Sequence, residues 1–268
     1  MSTAWVSGII AVHAFQIAVM SEQAQRDVYG EDKDTLVSSS YNPVGAKINR
    51  DEEGFRVCGR WGWSSGSAHC DWALLGGIVP GEGYRTFLVP RSDYRIEDTW
   101  HSMGLQGTGS NDVVVEDAFV PDYRTHKQTD GFQGTNPGVD QNSAVLYRMP
   151  WAQLFIRVVS TPAIGAAHNA LTLYSELVKG KARGDVTKLA QDTGTQMRIA
   201  RARNSIEEMR SVMLSNFDSM MATLRAGGKI DLDDRILYRY QASLVIEKSM
   251  EVVDSLFSSA GGSSVFVG

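Results

Sequence analysis

Near residue 150 the spacing of apolar side chains changes, and this change limits the available folds more than any other feature of the chain. Between about residues 36 and 121, short runs rich in Val, Phe, Tyr and Trp alternate with Gly, Pro, Asn and Asp, as in a compact β domain. Strands are expected at Leu36–Ser40, Phe55–Trp61, Trp72–Ile78, Arg85–Val89, Tyr94–Asp98 and Val113–Val120, with turns at DEEG (51–54) and PGEG (80–83). After the change the pattern is helical. STP (160–162) offers a cap and a first-turn proline for a helix reaching Val178. A second helix is expected over 187–226, where Ile206, Met209, Met213, Phe217, Met220 and Leu224 step by three and four. A third runs from a cap at Asp231 to Gly261 and Gly262, so the helices make an antiparallel bundle short of one member. Residues 4–28 read as one further helix, ended by Gly30.

The expected class is therefore α+β. Residues 1–34 would close an N-terminal helical domain, 35–125 form the β domain, 126–149 link, and 150–268 form the bundle. Composition fits a soluble globular chain, with 43% hydrophobic and 21% charged residues. A net charge of -5 without a Lys/Arg block argues against nucleic acid and anionic membranes as partners. The apolar start, Trp5 to Met20, is too short to span a bilayer, is interrupted by His13 and Gln16, and lacks a basic leader, so a cytoplasmic setting is expected. Cys58 and Cys70 make no disulfide framework and read as small hydrophobes in a reducing compartment. His69, His101, His126 and His168 lack ligand spacing, so no metal site is expected.

Two stretches could carry chemistry. GRWGWSSGSAHCDWALLGG (59–77) places Trp61 and Trp63 two apart, on one side of a regular strand, with the hydroxyls of Ser64 and Ser65 just beyond. A flat tricyclic ring needs aromatic packing on a face and hydrogen bonds at its nitrogens. The same residues also fit a β-core tryptophan pair followed by a serine turn. His13 stands in GIIAVHAFQIA (8–18), either as a core histidine or as a proton acceptor.

Taken with DTWHSMGLQGTGSNDVVVEDAFVP (98–121), the first stretch resembles the acyl-CoA dehydrogenase superfamily. Within it the resemblance is to the oxygenase components of two-component flavin-dependent aromatic monooxygenases. The resemblance implies that Trp63 lies against a flavin and that Ser65 bonds its N5, with Ser64 the alternative one position away. VSSSYNP (37–43) is similar to the segment holding the pyrimidine end, which makes Ser39, Ser40 and Tyr41 candidates. GTGS (107–110) resembles the family's turn into the last strand. It adds Thr108 as a cofactor contact, or else is a tight hairpin entry, and it is no nucleotide fingerprint because a strand follows it. Arg183, in KGKARGD, matches an arginine that reaches cofactor phosphate across a subunit boundary, or is an exposed helix-end residue. His13 matches a histidine facing the substrate hydroxyl, where a neutral imidazole accepts the phenol proton.

The activity so implied is ortho-hydroxylation of a phenol. Reduced FMN or FAD comes from a separate reductase, dioxygen adds at C4a to give a hydroperoxide, and the enzyme is a homotetramer. The resemblance also implies truncation at both ends, losing an N-terminal helical segment and a final helix with a second histidine. The rival readings are an acyl-CoA dehydrogenase, whose acyl-carrier serine and acid have no counterpart in YNPVGAK (41–47), an oxygenase of nitrogen or sulfur, and an inactive flavin-binding fragment.

Overall fold

The computed structural model describes residues 1–180, 182–183 and 187–262, with the side chains of 181–188 outside the description. It divides into two compact units, Ser2–Val158 and the chain from Val159 onward together with Met1.

The first unit opens with α1 (Ser2–Ala18) and α2 (Glu22–Tyr29). Here the single helix expected over 4–28 is corrected: the chain breaks at Val19–Ser21 and restarts at Ser21, whose hydroxyl accepts from the Ala24 N–H at 3.3 Å. Eight strands follow: β1 (Val37–Ser40), β2 (Lys47–Asp51), β3 (Gly54–Ser64), β4 (Trp72–Val79), β5 (Gly83–Pro90), β6 (Arg95–Glu97), β7 (Asn111–Pro121) and β8 (Thr125–Lys127). They form two four-stranded sheets, ordered β1-β4-β5-β8 and β2-β3-β7-β6. All pairings are antiparallel except β1 with β4, which run parallel from Val37 opposite Trp72 to Ser40 opposite Leu75.

The sheets pack face to face over Phe55, Val57, Trp61, Leu75, Phe87, Val113 and Val115. The other face of the first sheet, through Leu74 and Leu88, is covered by Ile17 and Met20 of the N-terminal segment and by Ala24 and Val28 of α2. Covered on both sides, β4 is an almost unbroken apolar run, WALLGGIV. The second sheet has a free face, so β7 alternates buried and accessible residues. Each fully buried Phe or Leu in this core contributes about 1.5–3 kcal/mol relative to exposure. Gly76 is required by a close approach: a Cβ there would lie 2.2 Å from Tyr84 Oη and 2.3 Å from the Tyr41 carbonyl oxygen.

Further expectations give way. β3 is not a regular strand. Its register against β7 shifts between Trp61 and Ser64, and Trp63 has φ +64°. Trp61 therefore turns into the core, donating to the Gly76 carbonyl at 2.7 Å, while Trp63 is 77% exposed; the two rings do not share a side. The segment read as a link carries β8 and a short helix, α3 (Gln128–Gln133). The first bundle helix, α4 (Trp151–Gly180), begins nine residues before STP, leaving Pro162 inside it.

In the second unit two strands of two residues each, β9 (Ala182–Arg183) and β10 (Thr187–Lys188), pair antiparallel, and β10 stands where the start of the next helix was expected. That helix, α5 (Thr193–Arg225), begins instead at Asp192, whose carboxylate accepts from the Thr195 N–H at 2.7 Å. α6 (Leu232–Ala260) has Asp231 at its N-cap position, as expected, although the side chain makes no capping bond. Ile164, Ala167, Leu171, Ile206, Met209, Val245 and Val252 form the shared core. Leu214, Tyr240, Met250 and Phe257 remain exposed on α5 and α6.

Candidate active site

A ring of contacts joins α1, β1 and the bulged end of β3. His13, fully buried on α1, places Nδ1 2.6 Å from the Val37 carbonyl oxygen of β1. At the other end of β1, Ser40 Oγ donates to the Gly62 carbonyl at 2.6 Å. Gly62 leads through Trp63 and Ser64 to Ser65, whose hydroxyl accepts from Trp5 Nε1 of α1 at 3.1 Å. The packing is close, since a Cβ on Gly66 would lie 3.0 Å from Val6 of the same helix.

The carbonyl of Val37 can only accept, so His13 carries its hydrogen on Nδ1 and leaves Nε2 as a lone pair. That nitrogen is buried and has no partner. Burial outweighs the backbone bond and lowers the imidazole pKa to about 4, so the ring is neutral near pH 7. Tyr41 meets His13 edge-on at 6.2 Å and donates to Gln16 Oε1. Beyond it lies an aromatic wall: Phe155 is 5.3 Å from Tyr41, and Trp151, Phe15 and Tyr147 follow at ring spacings of 5.4, 6.2 and 5.7 Å.

A second cluster surrounds Ser65. Its Oγ lies 2.8 Å from Ser110 Oγ, which is 2.6 Å from Thr108 Oγ1, and Thr108 donates onward to the Leu105 carbonyl at 2.9 Å. Leu105 has φ +55° and, with Trp63, is one of two non-glycine residues with positive φ among those described. Strain at both ends of one loop pair is typical of a functional site. Ser64 Oγ is fully buried and lacks a partner.

These groups fit an isoalloxazine. Trp63 presents an open indole, Ser65 has an accepting lone pair, and Ser64 is a buried hydroxyl with unmet hydrogen-bonding capacity. Of the residues anticipated from sequence, the structure links His13, Ser40, Ser64, Ser65 and Thr108 through one network and its backbone, with Trp63 and Tyr41 beside it. Ser39 is buried in β1 between Ser38 and Ser40. The Arg183 backbone opposes Thr187, and its side chain lies outside the described residues. Sequence reasoning missed Trp5, Ser110 and the aromatic wall. Ser110 ends the quoted GTGS motif, but Trp5 is sixty positions from Ser65 and carries no local signal.

The chain matches the family model described as Acyl-CoA dehydrogenase, C-terminal domain, over residues 157–267. It is 38% identical to the flavin-dependent monooxygenase oxygenase subunit HsaA of Rhodococcus jostii (strain RHA1), over 98% of this chain and 70% of that protein. It is 34% identical to the FADH2-dependent resorcinol hydroxylase oxygenase component of Rhizobium sp. (strain MTP-10005), over 97% of this chain and 67% of that protein. The crystal structure of 3-HSA hydroxylase from Rhodococcus sp. RHA1 superposes with a TM-score of 0.93 at 38% identity, covering all of this chain and 70% of that one.

Proposed function

This chain belongs to the family of oxygenase components of flavin-dependent monooxygenases, and on that premise we propose that it hydroxylates a phenol ortho to the existing hydroxyl. The single observation that carries the reading is His13, neutral and buried, with Nε2 unpartnered and its ring edge-on to Tyr41, from which the aromatic wall extends. Reduced flavin, when bound, supplies the two electrons that turn dioxygen into an inserted oxygen atom and water. His13 Nε2 takes the hydrogen bond, or the proton, of the phenol and enriches the ortho carbon in electrons. The rings of Phe15, Trp151 and Phe155 hold the substrate plane and exclude water.

In the same reading Trp63 lies on the flavin ring and Ser65 meets N5, with Ser64 one residue away. Ser39, Ser40 and Tyr41 hold the pyrimidine end, Thr108 supports Ser65, and Arg183 reaches phosphate. FMN or FAD arrives reduced from a separate flavin reductase. The exposed apolar residues of α5 and α6 support a homotetramer. Among the described residues no helix is long and apolar enough to cross a membrane, and both cysteines are free thiols, which fits a cytoplasmic setting.

The test is product analysis. Chemically reduced FAD or FMN, oxygenated buffer and a panel of phenols are expected to give catechols. His13→Asn is expected to lose product while keeping flavin affinity. Reduction of bound oxidised flavin by an acyl-CoA, without hydroxylation, would identify a dehydrogenase instead.

A further inference from the structure

We infer that Thr108 and Ser110 fix the direction of the Ser65 hydroxyl, so that the site favours flavin bearing hydrogen on N5 over oxidised flavin. The inference rests on the reading of Ser65 as the N5 partner and adds to it the two residues that set the direction of that hydroxyl.

The direction follows from counting hydrogens. Trp5 Nε1–H can only donate and the Leu105 carbonyl can only accept. Between them stand Ser65, Ser110 and Thr108, all buried, each with one hydroxyl hydrogen. The chain has four contacts, of 3.1, 2.8, 2.6 and 2.9 Å, and four hydrogens to fill them. Because Thr108 donates to Leu105, Ser110 must donate to Thr108 and Ser65 to Ser110. Ser65 Oγ accepts from Trp5 and keeps one lone pair.

A reduced flavin presents N5–H and adds a fifth hydrogen bond with nothing disturbed. An oxidised flavin presents a bare N5. To serve it, Ser65 must turn its hydrogen outward, Ser110 and Thr108 must reverse, and Leu105 must give up the Thr108 hydroxyl; the total stays at four. The anchoring end is firmly built. The Leu105 carbonyl also accepts from Trp100 Nε1 at 2.9 Å and from Thr108 N–H at 3.0 Å, and the Gly66 N–H reaches the Thr108 carbonyl at 2.8 Å. One hydrogen bond of difference corresponds to a preference of roughly two- to tenfold. An oxygenase fed by a separate reductase gains from this, because the arriving form is retained and the spent form is released. Thr108 and Ser110 are positioning residues here, acting on flavin through Ser65.

The experiment is anaerobic equilibrium dialysis of the whole chain against FAD and FMN, each oxidised and dithionite-reduced. The wild type is expected to favour the reduced form. Thr108→Val and Ser110→Ala each free the Ser65 hydrogen, and each is expected to lower the reduced-to-oxidised affinity ratio by roughly two- to tenfold. Thr108→Ser should restore the ratio, and Trp5→Phe should weaken both forms without changing it. Circular dichroism confirms folding, and Ser110→Ala carries the test should Thr108→Val fail to fold. A ratio unchanged in Thr108→Val and Ser110→Ala overturns the directional inference and leaves the N5 assignment standing. Failure of both redox states to bind the wild type, or indifference of both affinities to Ser65→Ala, removes that assignment and this inference together.

Discussion

His13 Nδ1 and the carbonyl oxygen of Val37, 24 residues apart in sequence, meet at 2.6 Å inside the protein. This contact sets the tautomer that leaves Nε2 free. Desolvation, the larger influence, lowers the pKa from 6.5 to about 4, against the smaller raising effect of the Val37 bond.

A pH dependence follows. Between pH 6.5 and 4 the unfolded chain binds a proton at position 13 that the folded chain refuses, so stability falls as pH falls through that window and is fully present above it. The loss due to His13 is expected to reach roughly 3 kcal/mol. Burial lowers His126 as well, so the measurement is the difference between wild type and His13→Gln in urea unfolding at pH 7 and pH 4.5. The variant should show the flatter profile, and the acid limb of hydroxylation should lie nearer pH 4 than 6.5.

Trp63 is exposed and held at φ +64°, a conformation that costs a non-glycine residue about 1–2 kcal/mol. Trp63→Gly should therefore leave Tm unchanged or raise it. Flavin affinity should fall at least about threefold through loss of ring stacking. Differential scanning fluorimetry and flavin titration read the two effects separately, and a fall in both would contradict a strained, ligand-facing ring.

Ser64 and Ser65 should respond in opposite ways. Ser64 Oγ is buried without a partner, so Ser64→Ala is expected to stabilise the flavin-free protein by up to about 1 kcal/mol. Ser65→Ala strands Trp5 Nε1 and Ser110 Oγ and should cost about 1–3 kcal/mol. Urea midpoints measure both. Flavin affinities of the same variants show which hydroxyl meets the ring.

Gly76→Ala should be severe. The added methyl would overlap the Tyr41 carbonyl oxygen and the Tyr84 hydroxyl that donates to it, and overpacking of this kind costs about 1–3 kcal/mol or more. Gly104→Ala meets nothing within 4 Å and serves as the control. Chemical denaturation of both variants should separate them clearly.

The long helices and the apolar strands β4 and β5 are legible in the sequence because burial on two sides, or along one face, leaves a continuous or periodic pattern. β2 is not, because only Ile48 of its five residues is buried and the rest are polar. The break between α1 and α2 lies in an apolar stretch, where Val19 and Met20 are buried whether or not the helix continues. The bulge at Trp63 defeats the alternation rule, which assumes a regular pleat. His13, Ser64 and Ser65 stand out by residue type in quoted motifs, yet Val37, the partner of His13, and Trp5 and Ser110, the partners of Ser65, come from other elements and could not be read from spacing.

The parallel pairing of β1 with β4 has a consequence for the order of folding. A parallel neighbour cannot be reached by a tight turn, so β1 acquires its register only after the intervening β2 and β3 have looped away and β4 has been laid down. The strand that supplies Val37 to His13 and Ser40 to the bulge is thus a late, long-range arrival, and entropy of loop closure delays it further. Refolding should recover strand content before the His13 neighbourhood becomes protected from hydrogen exchange.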